Sequence, residues 1–135
     1  PEQVVANRAT FAFHDIPEPR DDLQAVSEQQ VAELLDVLRA WAASSDPAIV
    51  LQCWMGVSRS TAAAALALAV ATDRTETDIA QSLRAAAPFA TPNPRIIAIG
   101  DAILKHEGAL SLAIESIGRG VMTGRGRPFS MTVDP

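Results

Sequence analysis

Residues 49–71, IVLQCWMGVSRSTAAAALALAVA, constrain this chain more than any other stretch. An apolar run of strand length, 48–53, leads into a short loop of small residues. A nearly unbroken apolar, Ala-rich run follows, from Thr61 to Ala71. It is too short to cross a bilayer and reads as a buried helix. The single cysteine of the chain, Cys53, stands where the strand ends, and Arg59 stands where the helix begins.

Around this segment the pattern alternates strand and helix signals. Residues 10–16, TFAFHDI, suit a strand through Phe11, Phe13 and Ile16. Two prolines and three acids in PEPRDD mark the loop that follows. Ser27 with Gln30 is a capping-box signature, and Val31, Leu34, Leu35, Leu38 and Trp41 recur at helical spacing to about Ala43. Helices are expected from Arg59, from Thr75 or Thr77 to the Pro88 stop, and from Asn93 to about His106. In the last of these Pro94 occupies the favoured first position. A final helix is expected over 109–117, and GRGVMTGRGRPFSMTVDP reads as a surface tail. Two strands and five helices suggest an α/β fold. Two strands make a thin sheet, and the chain opens on Pro1 rather than Met, which points to N-terminal strands outside it.

Length predicts one domain, divided here into a catalytic unit over 1–120 and a tail over 121–135. A net charge of −5 argues against general nucleic-acid or anionic-membrane binding. One cysteine excludes an internal disulfide and a cysteine-rich zinc site, and fits a reducing, cytoplasmic setting.

A strand, a tight loop and a helix N-terminus form an anion-binding geometry. Loop N–H groups point inward and the helix end adds about half a positive charge. Gly56 permits the turn, and Arg59 offers two parallel N–H donors to phosphate oxygens. Trp54, Met55, Gly56, Val57 and Ser58 would line the bound group, with Trp54 either stacking on substrate or packing. In that field Cys53 becomes a nucleophilic thiolate, and Ser60 can donate to its sulfur. A lone cysteine is more often a buried structural residue. Arg six positions after a Cys occurs about one time in twenty by chance. The added Gly, Ser and post-Arg hydroxyl make the signal specific.

CWMGVSRS resembles the Cys-x5-Arg-Ser/Thr signature of cysteine-dependent protein tyrosine phosphatases, most nearly the dual-specificity type and its small bacterial relatives. HDI upstream resembles the segment carrying the general acid, TPNPRIIAIGDAIL the Pro-Asn helix start, and AIESIGRG a late segment of bacterial members. The resemblance implies a central, mainly parallel sheet flanked by helices, and hydrolysis of phosphotyrosine, and of phosphoserine or phosphothreonine, through a cysteinyl-phosphate, with no metal or cofactor. The partner is a phosphorylated protein or small phosphomonoester. Gln52 stands where that family normally has His. A pseudophosphatase that binds phosphorylated partners without turnover is therefore the alternative.

Asp15 is the first candidate for general acid; Asp21 and Asp22 lie nearer the family's usual distance from the cysteine, or else in a solvated loop. His14 should face away from Asp15 on a strand, and His106 near a helix C-terminus suits a dipole contact. Arg119, Arg125 and Arg127 form a basic tail that is either solvated or attracts an acidic partner. Three rivals fit less well. Rhodanese-type sulfurtransferases usually have a shorter loop. Low-molecular-weight phosphatases carry a second Cys where this chain has Ser58. Lipid phosphatases favour basic residues that WMGVS lacks.

Overall fold

A computed structural model describes residues 9–46 and 48–133. Five helices account for its regular structure: α1 (Glu28–Ala42), α2 (Arg59–Ala71), α3 (Glu76–Ala86), α4 (Pro94–Ile103) and α5 (Ala109–Ser116). Their starts follow from local chemistry. Ser27 and Gln30 close a reciprocal capping box on α1, Thr75 caps α3 through the Asp78 N–H, and Asn93 caps α4 ahead of Pro94.

The architecture corrects the expected α/β fold. Among the described residues there is no strand and no sheet, only an isolated antiparallel bridge between Arg20 and Leu23. The two expected strands do not pair. The His14 N–H donates to the Gln24 carbonyl at 2.6 Å, so the first segment turns back on its own neighbour. Residues 48–52 make no backbone hydrogen bond to any described residue. Ile49 and Leu51 lie against the core while Val50 and Gln52 are exposed. That alternation gives the segment one apolar face, and the face packs on helices instead of joining a ladder.

Helix α2 is the centre, packed against α1, α3 and α4. Its buried residues, Thr61, Ala62, Ala63, Ala65, Leu66, Ala67 and Leu68, cover most of its circumference. A helix apolar nearly all round must be enclosed, and its alanines leave room for close neighbours. Leu35 and Leu38 of α1, Ile79 and Leu83 of α3, and Ile96 and Ile97 of α4 complete the core. The tail belongs to the same body, because Phe129 and Met131 pack on this cluster.

Two polar side chains join elements that the apolar core alone would not orient. Arg84 donates to the carbonyls of Ala87, Pro88, Ala90, Ile117 and Gly118, at 2.7–3.3 Å. His106, expected at a helix dipole, instead pairs with Glu76 at 2.8 Å, tying the segment after α4 to the first turn of α3.

Asp101 is buried on α4 and accepts from the N–H groups of Gly108, Leu110 and Ser111 at 2.7–3.1 Å. It thus caps α5, whose own N-cap, Gly108, has no side chain to do so. Asp101→Ala is expected to destabilise the fold by about 1–3 kcal/mol, the penalty for stranding buried donors. Asp101→Asn, which keeps one acceptor oxygen, should lose less. Urea unfolding of the three proteins checks the order; equal midpoints for wild type and Asp101→Ala would remove Asp101 from this role.

Candidate active site

The loop before α2 is fixed from behind. Thr61 Oγ1 donates to the carbonyls of Val57 (2.6 Å) and Ser58 (3.0 Å). The Thr91 N–H donates to the Val57 carbonyl (3.0 Å), the Asn93 N–H to that of Ser58 (3.1 Å), and the Gly126 N–H to that of Met55 (2.7 Å). In a trans peptide the N–H points opposite the preceding carbonyl. Three carbonyls held to the protein side therefore turn the N–H groups of Gly56, Ser58 and Arg59 to the other face. Gly56 takes φ +70°, a conformation that favours glycine.

Cys53 lies half-buried beside the start of α2. Its Sγ is 3.3 Å from Ser60 Oγ and accepts the Ser60 N–H at 3.4 Å. Burial pushes the thiol pKa up. Hydrogen bonds from the Ser60 hydroxyl, the Ser60 N–H and the Gly56 N–H, with the Arg59 charge, outweigh burial and hold it below the ordinary value. Arg59 is half-buried, and Nη1 donates to the Phe13 carbonyl at 3.2 Å, joining the N-terminal segment to the loop.

Asp15 reaches the same place from far along the chain. Its Oδ1 accepts from Ser58 Oγ at 2.7 Å and from Asn93 Nδ2 at 2.8 Å. Its Oδ2 has no partner among the described residues. Asp21 and Asp22 are exposed in the turn closed by the Leu23 N–H on the Arg20 carbonyl, and neither joins the loop. His14 does not lie on the expected strand; its Nδ1 accepts the Gln24 N–H at 2.8 Å.

The remaining residues divide clearly. Trp54 is 79% exposed and Met55 41%, so Trp54 has no packing role. Val57 packs against the core with one face. Gln52 is exposed and its amide bonds to no described residue, so it does not order the loop. Two surface clefts lie elsewhere. One is lined by Arg74, Asp78 and Val133, the other by Asp101, Lys105 and Glu107, and neither takes in any residue of 53–60.

Sequence reasoning misses two contributors. Asn93 appears only as a helix cap, yet its amide also holds Asp15; the buried Asn at an N-cap was the available signal. Gly126 appears only as tail, and nothing local in the sequence signals its contact with the loop.

The hydrogen bonds from Ser60 are the largest influences lowering the Cys53 thiol. Ser60→Ala should therefore move the midpoint of Cys53 alkylation by iodoacetamide to higher pH, since the thiolate forms later. An unchanged midpoint would mean that Ser60 does not stabilise the thiolate.

No protein-family model, no curated protein and no solved structure matches the chain.

Proposed function

We propose that this chain is a phosphatase that hydrolyses phosphomonoesters through a cysteinyl-phosphate intermediate. One observation carries the reading: the hydroxyl and N–H of Ser60, the N–H of Gly56 and the charge of Arg59 converge on the half-buried Cys53 sulfur. Donors that favour a thiolate equally suit the oxygens of a phosphoryl group held above it.

The reaction proceeds in two displacements. The Cys53 thiolate attacks phosphorus, an S–P bond forms and the P–O bond to the leaving group breaks. Asp15, with Oδ1 held by Ser58 and Asn93, gives its proton to the departing oxygen. Water then attacks phosphorus, Asp15 takes a proton from it, and the S–P bond breaks to return thiolate and inorganic phosphate. Ser60 donates to the sulfur as it leaves.

Gln52 favours a second reading, in which the loop binds phosphorylated partners with little turnover. Its exposed amide supplies neither charge nor order where the resembling family has His. Hydrolysis of para-nitrophenyl phosphate, inhibited by vanadate, separates the two.

Cys53→Ser is expected to abolish turnover while retaining oxyanion binding. Arg59→Lys should also be crippled, because an ammonium does not reproduce the guanidinium fork. Full activity in Cys53→Ser would exclude the covalent route.

Asp15→Asn should slow phosphopeptide hydrolysis by about 10²–10⁴-fold, and para-nitrophenyl phosphate, whose leaving group scarcely needs a proton, much less. Asp21→Asn and Asp22→Asn should behave as wild type. The reverse pattern would move the acid into the 17–22 loop.

A further inference from the structure

Asp15 is exposed, whereas the amide that holds it, on Asn93, is 1% exposed. Helix α4 dictates how that amide is turned. The N–H groups of Arg95 and Ile96 both point at it from 3.0 Å, and only its oxygen accepts from them. The amide nitrogen is therefore on the other side. Its two hydrogens go to Asp15 Oδ1 (2.8 Å) and to the Ile16 carbonyl (3.3 Å). Capping α4 thus decides which atom Asp15 meets: a donor with no capacity to accept.

This has a chemical consequence for the carboxyl group. Once protonated, a carboxyl has one oxygen that donates as a hydroxyl and one that still accepts. Oδ1 faces two donors, Asn93 Nδ2 and Ser58 Oγ at 2.7 Å. The Ser58 hydroxyl is able to turn and accept, but Asn93 Nδ2 is not. A proton on Oδ1 would stand against the amide hydrogen and break the contact that ties Asp15 to a buried group. An exposed aspartate without that contact turns among its rotamers and presents either oxygen.

We propose that Asn93 is a positioning residue that keeps Asp15 Oδ1 an acceptor in both protonation states, so that the acid proton is given and taken back at Oδ2 alone. The proposal rests on the phosphatase reading for the reaction, but the contact between the two side chains does not require turnover. In the first displacement the Oδ2–H bond breaks as the leaving oxygen gains the proton. In the second, Oδ2 takes a proton from the attacking water. Asn93 exchanges no proton in either step.

Two measurements test this. Asn93→Ser keeps a good helix cap but lacks the amide donor. Its phosphopeptide turnover should fall about tenfold, the order set by one hydrogen bond, and its turnover of para-nitrophenyl phosphate much less. In an Asp15→Asn background the same change should slow phosphopeptide turnover no further, because Asn93 acts through Asp15. The second measurement follows the Asn93 side-chain amide protons by NMR and decides the matter where Asn93→Ser does not fold. In wild type they should stay protected from exchange on both sides of the Asp15 titration, and Asp15→Ala should remove that protection. Protection lost as Asp15 gains its proton, equal loss on both substrates in a folded Asn93→Ser, or additive losses in the double variant would overturn the assignment. Protection that persists, with neither substrate hydrolysed by wild type, would sink the phosphatase reading while supporting the placement of the Asp15 proton.

Discussion

The Asn93 side chain, 1% exposed, uses both of its acceptor sites and both of its donors. Oδ1 accepts the N–H groups of Arg95 and Ile96 at 3.0 Å, which starts α4. Nδ2 donates to Asp15 Oδ1 and to the Ile16 carbonyl, which brings the N-terminal segment to the loop. Its backbone N–H holds the Ser58 carbonyl from behind. A buried amide costs free energy unless it is satisfied, so these bonds stand or fall nearly together. Helix α4, Asp15 and the loop are thereby placed relative to one another by a single residue.

The site is accordingly assembled from segments far apart in sequence, around the start of α2. Each works by satisfying a carbonyl of the loop or by seating a group beside it. Thr61, Thr91, Asn93 and Gly126 take the carbonyls of residues 55, 57 and 58. The Gly56 and Ser60 N–H groups approach the sulfur instead. Helix α2, enclosed on most sides, supplies a mount that does not yield when charge builds at its end.

What the sequence reveals follows the range of the forces involved. Helix boundaries are legible because capping is local: Ser27 with Gln30, Thr75, and Asn93 with Pro94 act within a turn. The loop is legible because Cys53, Gly56, Arg59 and Ser60 lie within one short span. The expected sheet fails because strand pairing is non-local. The apolar runs at 10–16 and 48–53 predict burial of one face, which occurs for Ile49 and Leu51, but a run does not name its hydrogen-bonding partner. Asp101 capping α5, Arg84 binding five carbonyls and Gly126 against Gly56 depend on the packed arrangement of helices, which no local pattern encodes.

The part played by Gln52 can be judged from the same geometry. A half-buried thiol left to itself would ionise late, because desolvation disfavours the charge. Every influence that reverses this for Cys53 comes from residues 56, 59 and 60, on the helix side of the loop. Position 52 lies on the other side of the cysteine, and its side chain points to solvent. A charge placed there would be screened by water, whereas the Ser60 and Gly56 donors act at contact distance within a partly dry site. The direction of the thiol shift is thus set without residue 52. The glutamine supplies no charge, but the donors that lower the Cys53 thiol do not depend on it.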